Sequence, residues 1–401
     1  MNRDLIGPYR ARWLEAVSWL SGFLLLTTFA SYVVVGPGAV LQALYRFNLG
    51  GENNVAVWWC GMLLALAAVL AFDGYADEAR MPAERRGWLA LAGALLLLSF
   101  DEVASLHEYL ANRGLLYLVP LGAVGLALVG YSLVRLRSAG VRKRSFAMLL
   151  AAFGLFALVP LHEIVQHSFE WPNRAVYGLR AVLEEGTELL AMLLLLAVTS
   201  DGARARFART GDAFAAVRLR AYWLVAGVVL VPVLTAATFV LPYPGGPANW
   251  LAAVLLLACA LNVLRTEGLL RGRPRTPAVW LAAFYLAASA ATNAVPLSWD
   301  AVVLGRTVGI RGLALALLLL AAAPLLARCG RPVRPLWLVL AALGAAVGAL
   351  RPDSQLLWCA LPPTAALWLY AIESRVQARA VPTADDRPEA AVTVPLPTPP
   401  A

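Results

Sequence analysis

Lysine is almost missing from this chain: Lys143 stands alone among 33 basic residues, which are otherwise arginine. Charge of either sign is scarce too, at 14% of 401 residues against 61% hydrophobic. Soluble domains carry roughly a quarter charged residues, so this scarcity excludes an ordinary soluble fold. Cysteine occurs only at Cys60, Cys259, Cys329 and Cys359, far apart and without a CxxC pair. That spacing excludes a disulfide framework and a cysteine-rich zinc site, and the four read as small core residues. There is no P-loop, no GxSxG, no strand-borne GxGxxG and no CxxCH. The arginines sit in short loops between apolar runs, with no basic stripe interleaved with aromatics, which argues against a nucleic-acid partner.

What the chain does contain is a succession of membrane-length apolar runs. Reading for stretches of roughly 17 to 25 residues predicts an all-α polytopic membrane protein of about twelve spans. These cover residues 13–35, 55–72, 87–109, 115–136, 146–168, 176–199, 221–242, 249–265, 278–297, 310–328, 335–350 and 355–372. The first run is too long for the apolar part of a signal peptide and lacks an A-x-A site, so it reads as a membrane helix. Arginine-rich loops alternate with loops holding two or fewer, beginning with Arg3, Arg10 and Arg12. By the positive-inside rule this predicts an inner or plasma membrane protein with both termini cytoplasmic. Trp58, Trp59, Tyr117, Trp171, Trp250 and Trp299 read as interfacial anchors.

The predicted organisation is a cytoplasmic N-terminus (1–12), a six-helix half carrying the polar site (13–199), a basic cytoplasmic linker (200–220), a second six-helix half that is mostly scaffold (221–372) and a disordered cytoplasmic tail (373–401). A faint repeat underlies the two halves. Trp13, Leu14, Ala16, Thr28 and Phe29 lie over Trp223, Leu224, Ala226, Thr238 and Phe239 at one offset, and a further overlay sets Asp101 over Asn293 and Glu108 over Asp300. Equivalent helices six spans apart imply halves of parallel topology, as in some transporters.

Three spans of the first half hold nearly all the intramembrane charge. The third has Asp101, Glu102, His107 and Glu108; the fifth has His162, Glu163, His167 and Glu170; the sixth has Arg180, Glu184, Glu185 and Glu188. Every histidine of the chain belongs to this set. At 1.5 Å per residue Asp101 lies roughly 21 Å into an outward-running span, in the outer third of a core about 30 Å thick. The clusters of the fifth and sixth spans reach a similar level, so all three converge on one layer near the extracytoplasmic side. Helical periodicity puts Asp101 and Glu108 on one face with Ser105 close by, while Glu102 and His107 flank it on opposite sides. Those two can meet one point only if the helix tilts or breaks. Glu163, Gln166, His167 and Glu170 form a second stripe, and Glu184, Glu185 and Glu188 a third, with Arg180 beside Glu184.

Carboxylates crowded into a low-dielectric layer must be protonated, hydrated, paired or bound to cations. Mixed imidazole and carboxylate donors from separate helices suit a divalent metal, Zn or Fe foremost. The predicted metal ligands are Asp101, His107, His162, Glu163, His167, Glu184 and Glu188, with Glu108 and Glu185 as general bases. Glu102, Ser105, Gln166 and Arg180 are predicted to orient them. HEIVQH is not a zincin motif, because its histidines are five apart rather than four. The expected function is a metal-dependent membrane hydrolase acting on an amphiphilic, lipid-like substrate among membrane lipids. A proton- or cation-coupled transporter and a structural or sensory membrane module are the alternatives.

Overall fold

The computed structural model describes residues 7–34, 44, 47–51, 55–77, 79–104, 106–111, 114, 116, 118–169, 171–210, 250, 300–303 and 306–309. Its helices are α1 (Gly7–Val33), α2 (Val55–Tyr75), α3 (Pro82–Ala104), α4 (Leu106–Ala111), α5 (Leu118–Ser138), α6 (Lys143–Phe156), α7 (Val159–Ser168) and α8 (Arg174–Thr210). The strands among the described residues form one antiparallel hairpin, β1 (Asp300–Val303) and β2 (Arg306–Gly309), in which Asp300 pairs with Gly309 and Val303 with Arg306. The six spans predicted from residue 221 onward, the linker beyond residue 210 and the tail lie outside the described residues, apart from Trp250 and this hairpin.

Three of the helical segments are long and apolar enough to cross a membrane: Ala56–Tyr75, Leu118–Ser138 and Lys143–His162. They differ sharply in setting, since 78% of the first is buried inside the protein against 6% and 11% of the other two. A helix that is apolar all round belongs in a core, and α2 is the central element, packed against α3 on one side and α8 on the other. Helix α5 leans on α3, α1 and α6 lean on α8, and the rest of their surfaces is apolar and outward-facing. Leu64, Leu91, Leu95, Leu189, Met192, Leu195 and Leu196 fill the seam between α2, α3 and α8. Trp58, expected as an interfacial anchor, is instead turned into this packing at 2% exposure.

Local chemistry explains the breaks. Pro82 opens α3, where a missing N–H is harmless, and Glu84 in its first turn complements the helix dipole. Helix α5 closes with Gly140 at φ 72°, its N–H donating to the Arg137 carbonyl while the Val141 N–H donates to the Leu136 carbonyl. That pair of bonds is the Schellman stop, which needs the left-handed conformation glycine adopts freely. The span expected over 146–168 is divided at Ala157–Leu158 into α6 and α7, with Pro160 in the first turn of α7. The span expected over 87–109 is covered by α3 and α4.

The end of the bundle opposite the polar layer has a network of its own. Arg80 donates from Nε to Asp77 (2.9 Å), from one terminal nitrogen to Glu84 and from the other to the Gly202 carbonyl (2.9 Å). Its guanidinium also lies 5.3 Å from the Trp88 ring, whose N–H donates to Glu84 (3.2 Å). Asp77 is almost wholly buried. The loop between α2 and α3 is thereby fixed to the C-terminal continuation of α8, in which the first eleven residues of the expected linker are helical.

Where α2 meets α3, Gly61 leaves no room for a side chain: a Cβ there would fall 2.4 Å from Val103 Cγ2. Valine is stiff at χ1 and cannot swing away. Gly61→Ala is expected to destabilise the fold by about 1–3 kcal/mol, read by thermal unfolding in detergent micelles. Adding Val103→Ala should recover much of the loss; a double variant melting as low as the single one would contradict this account of the contact.

Candidate functional site

The polar layer is assembled by α1, α2, α3, α7 and α8 with the turn at residues 47–51. That turn is written by Phe-Asn-Leu-Gly-Gly. Asn48 Oδ1 accepts from the Gly50 N–H (3.0 Å) and the Asn48 carbonyl from the Gly51 N–H (3.2 Å). Thr28 ties it to α1 by accepting the Leu49 N–H at 2.9 Å, and Thr27 donates to the Phe47 carbonyl at 3.0 Å. Gly50 is thereby set against the site, so closely that a Cβ there would lie 3.2 Å from the Tyr32 hydroxyl and 3.4 Å from a carboxylate oxygen of Glu185. Tyr32 shares a hydrogen bond with the Asn48 side chain, and Arg180, Glu185 and Tyr177 bear on its hydroxyl electrostatically.

Helix α8 brings the acids. Asn173 caps it by accepting the Val176 N–H (3.0 Å). Two turns in, the buried Arg180 pairs with the buried Glu184 and reaches the His162 carbonyl of α7 at 3.4 Å. The Arg180 guanidinium lies 5.8 Å from the Tyr177 ring, which meets Tyr32 edge-on at 5.3 Å and Trp171 at 6.2 Å. Close approach of α1 and α8 depends on Gly178, where a Cβ would come within 2.8 Å of Tyr32. Glu185 and Glu188, next to Glu184 and one turn beyond it, act electrostatically on the buried thiol Cys60 of α2, as does Glu102 of α3.

At the end of α3, Asp101 reaches forward to α4. Asp101 accepts the backbone N–H of His107 at 2.8 Å with one oxygen and meets the ring Nδ1 at 3.1 Å with the other. A carboxylate that holds both the backbone and the ring of one histidine caps helix α4 and fixes the orientation of the imidazole. Nearby, Ser99 donates to the Gly61 carbonyl (2.7 Å) and accepts the indole N–H of Trp250 (2.9 Å), whose ring meets Phe100 edge-on at 5.1 Å.

Of the predicted residues, Glu102, Glu185 and Glu188 all influence Cys60 electrostatically, Arg180 and Glu184 pair, and Asp101 and His107 pair. Helix α7 carries His162, half-buried, beside Arg180. Ser105 and the side chains of Glu108, Glu163, Gln166 and His167 lie outside the described residues. Among the described residues no three His, Cys, Asp or Glu side chains form a ready-made group for a metal ion. Sequence reasoning missed Tyr32, Asn48, Gly50, Cys60 and Tyr177. The Asn-Leu-Gly-Gly turn was the one local signal, since an Asx turn followed by glycines marks a backbone brought close to something.

These features define, among the described residues, a helical protein with three helices long and apolar enough to cross a membrane and a polar layer between its helices, an arrangement compatible with a membrane protein. A family described as a domain of unknown function (DUF8692) matches residues 17–201, a stretch that contains every site residue named above except Trp250. Comparison with curated proteins and with solved structures gives no match.

Removing the Asp101 carboxylate should loosen α4 alone. Asp101→Ala is expected to cost that helix about 1 kcal/mol, a partly exposed charged hydrogen bond and cap. Hydrogen exchange should rise in residues 106–111 while α5 and α8 stay protected; uniform loss of protection would assign Asp101 to the global core instead.

Proposed function

We propose that the chain is a metal-dependent membrane enzyme of hydrolase type, with its site toward the extracytoplasmic side of a cell or inner membrane. The observation that carries this reading is that Glu102, Glu185 and Glu188, from two helices, all act electrostatically on the buried Cys60. Carboxylates at this depth repel one another and are poorly solvated, so a divalent cation, Zn or Fe, would relieve them. Glu102 and Glu188 would be the oxygen donors, and His162 and His107 the imidazoles. Asp101 orients His107 rather than binding the cation, because both of its oxygens already engage that residue. A bound divalent cation would acidify a water and polarise an ester or phosphoryl oxygen. Glu185, whose carboxylate borders Gly50 and Tyr32, would hold the proton removed from that water.

Transport through this half is less well supported. Between the Arg80 network and the carboxylates, α2, α3 and α8 contribute Leu64, Ala67, Ala68, Leu91, Leu95, Leu195 and Leu196, all buried. No ionisable side chain occurs in residues 61–72, 88–100 or 189–200, so a relay across this seam would lack stepping groups.

Elemental analysis of the purified protein tests the metal. Wild type should carry about one transition-metal ion per chain, and Glu185→Gln/Glu188→Gln should lose at least tenfold in occupancy. Equal metal content near zero in both would end the reading. The finer membrane arrangement, twelve spans with cytoplasmic termini, is tested by thiol labelling in a cysteine-free background. Ser138→Cys should react only with reagent supplied from the cytoplasmic side and Pro172→Cys only from the opposite side; the reverse pattern would invert the proposed topology.

A further inference from the structure

Arg180 has more hydrogen-bonding capacity than the protein uses. Its side chain is buried, at 8% exposure, and one terminal nitrogen serves Glu184 and the His162 carbonyl, yet Nε has no acceptor. An arginine N–H left unsatisfied in a low-dielectric setting is costly, on the order of 1–3 kcal/mol, and the guanidinium fork is suited to phosphate oxygens. The Glu185 carboxylate and the Tyr32 hydroxyl both border Gly50, and Glu185 and Arg180 both act electrostatically on that hydroxyl. Tyr32, Tyr177 and Trp171 line the same place with aromatic rings. A positive group with an open donor therefore lies near a negative group, with aromatic surface beside them. Around this spot the outward faces are apolar: Val176, Leu179 and Leu183 on α8, and Leu161, Ile164 and Val165 on α7, are exposed.

We infer that this locus binds a zwitterionic amphiphile, one whose head carries a phosphate next to an ammonium and whose chains lie along α7 and α8. The phosphate takes the unsatisfied Nε–H of Arg180, which is buried and is uncovered as the head enters. The ammonium lies toward Glu185 and the tyrosine faces, where carboxylate and ring quadrupole both favour a cation. A purely anionic head would be repelled by Glu185, and an uncharged head would leave Arg180 unsatisfied. The inference rests on the membrane-enzyme reading for calling this amphiphile a substrate, but the binding itself does not require the metal.

The test is native mass spectrometry of the full chain, delipidated and then titrated separately with a phosphatidylethanolamine, a phosphatidic acid and a diacylglycerol of identical chains. The phosphatidylethanolamine is expected to bind at least tenfold more tightly than either of the others. Arg180→Lys keeps the charge against Glu184 but removes the fork, and should weaken it about tenfold; Glu185→Gln should abolish the preference over phosphatidic acid. Soluble phosphoethanolamine should compete only at far higher concentration, and equal potency would reassign the site to a free headgroup. Diacylglycerol binding as tightly as the zwitterion, a preference for phosphatidic acid, or unchanged binding in both variants would overturn the inference. Folding of each variant is checked by its melting profile, and Arg180→Met/Glu184→Gln, which removes the pair together, serves if Arg180→Lys unfolds. Metal content is measured on the same samples. Lipid binding without metal sinks only the metal reading, and metal without lipid preference sinks only this one.

Discussion

An arginine withdrawn from water must find acceptors, and two buried arginines do so at opposite ends of the same long helix. Arg180 pairs with Glu184 near the outer end of α8, while Arg80 reaches the Gly202 carbonyl near its inner end. Breaking a buried pair by removing one partner costs about 3–5 kcal/mol, because the remaining charge is stranded. The Arg80 contact, with the reach of Arg180 to the His162 carbonyl of α7, ties α8 to its neighbours at both ends, whereas the Arg180–Glu184 pair lies within α8 itself. The leucine seam between α2, α3 and α8 is tolerant of sliding by comparison, since apolar contact has no directional preference. Register at the carboxylate layer therefore depends on charge as much as on packing.

The junction of α3 and α4 illustrates how polar groups shape backbone in such a setting. A continuous helix would carry Glu102 and His107 on different faces. Asp101 instead spends both carboxylate oxygens on His107, one on its backbone N–H and one on its ring. The backbone N–H that a helical carbonyl would ordinarily take is thereby satisfied by a side chain, and the imidazole is oriented by the same group.

Periodicity and run length made the helices legible, because an apolar stretch of membrane length has few other fates. The elements over 55–72, 115–136 and 176–199 all correspond to observed helices, with ends displaced by a few residues and by eleven at the inner end of α8. The acid and histidine clusters were legible for the same reason: charge is conspicuous against leucine. What could not be read were partners distant in sequence. Nothing local marks Cys60 as the residue on which Glu102, Glu185 and Glu188 act, or Tyr32 as the neighbour of Arg180. Arg80 was counted only as a topology signal, although its three hydrogen-bond partners make it structural. Proline and an Asx turn betray breaks, but only packing decides which side chains a break brings together.

Trp250 has a meaning beyond its two contacts. Its indole holds Ser99, and Ser99 in turn holds the carbonyl of Gly61, next to Cys60 on the central helix. The stretch matching DUF8692 ends at residue 201, so this indole comes from outside the unit it steadies. A polypeptide made of the matched stretch alone would leave the Ser99 hydroxyl to water or lipid at that point. The later part of the chain thus acts as a keystone borrowed from elsewhere, and any length of sequence inserted between residues 201 and 250 must still deliver one tryptophan to the same spot.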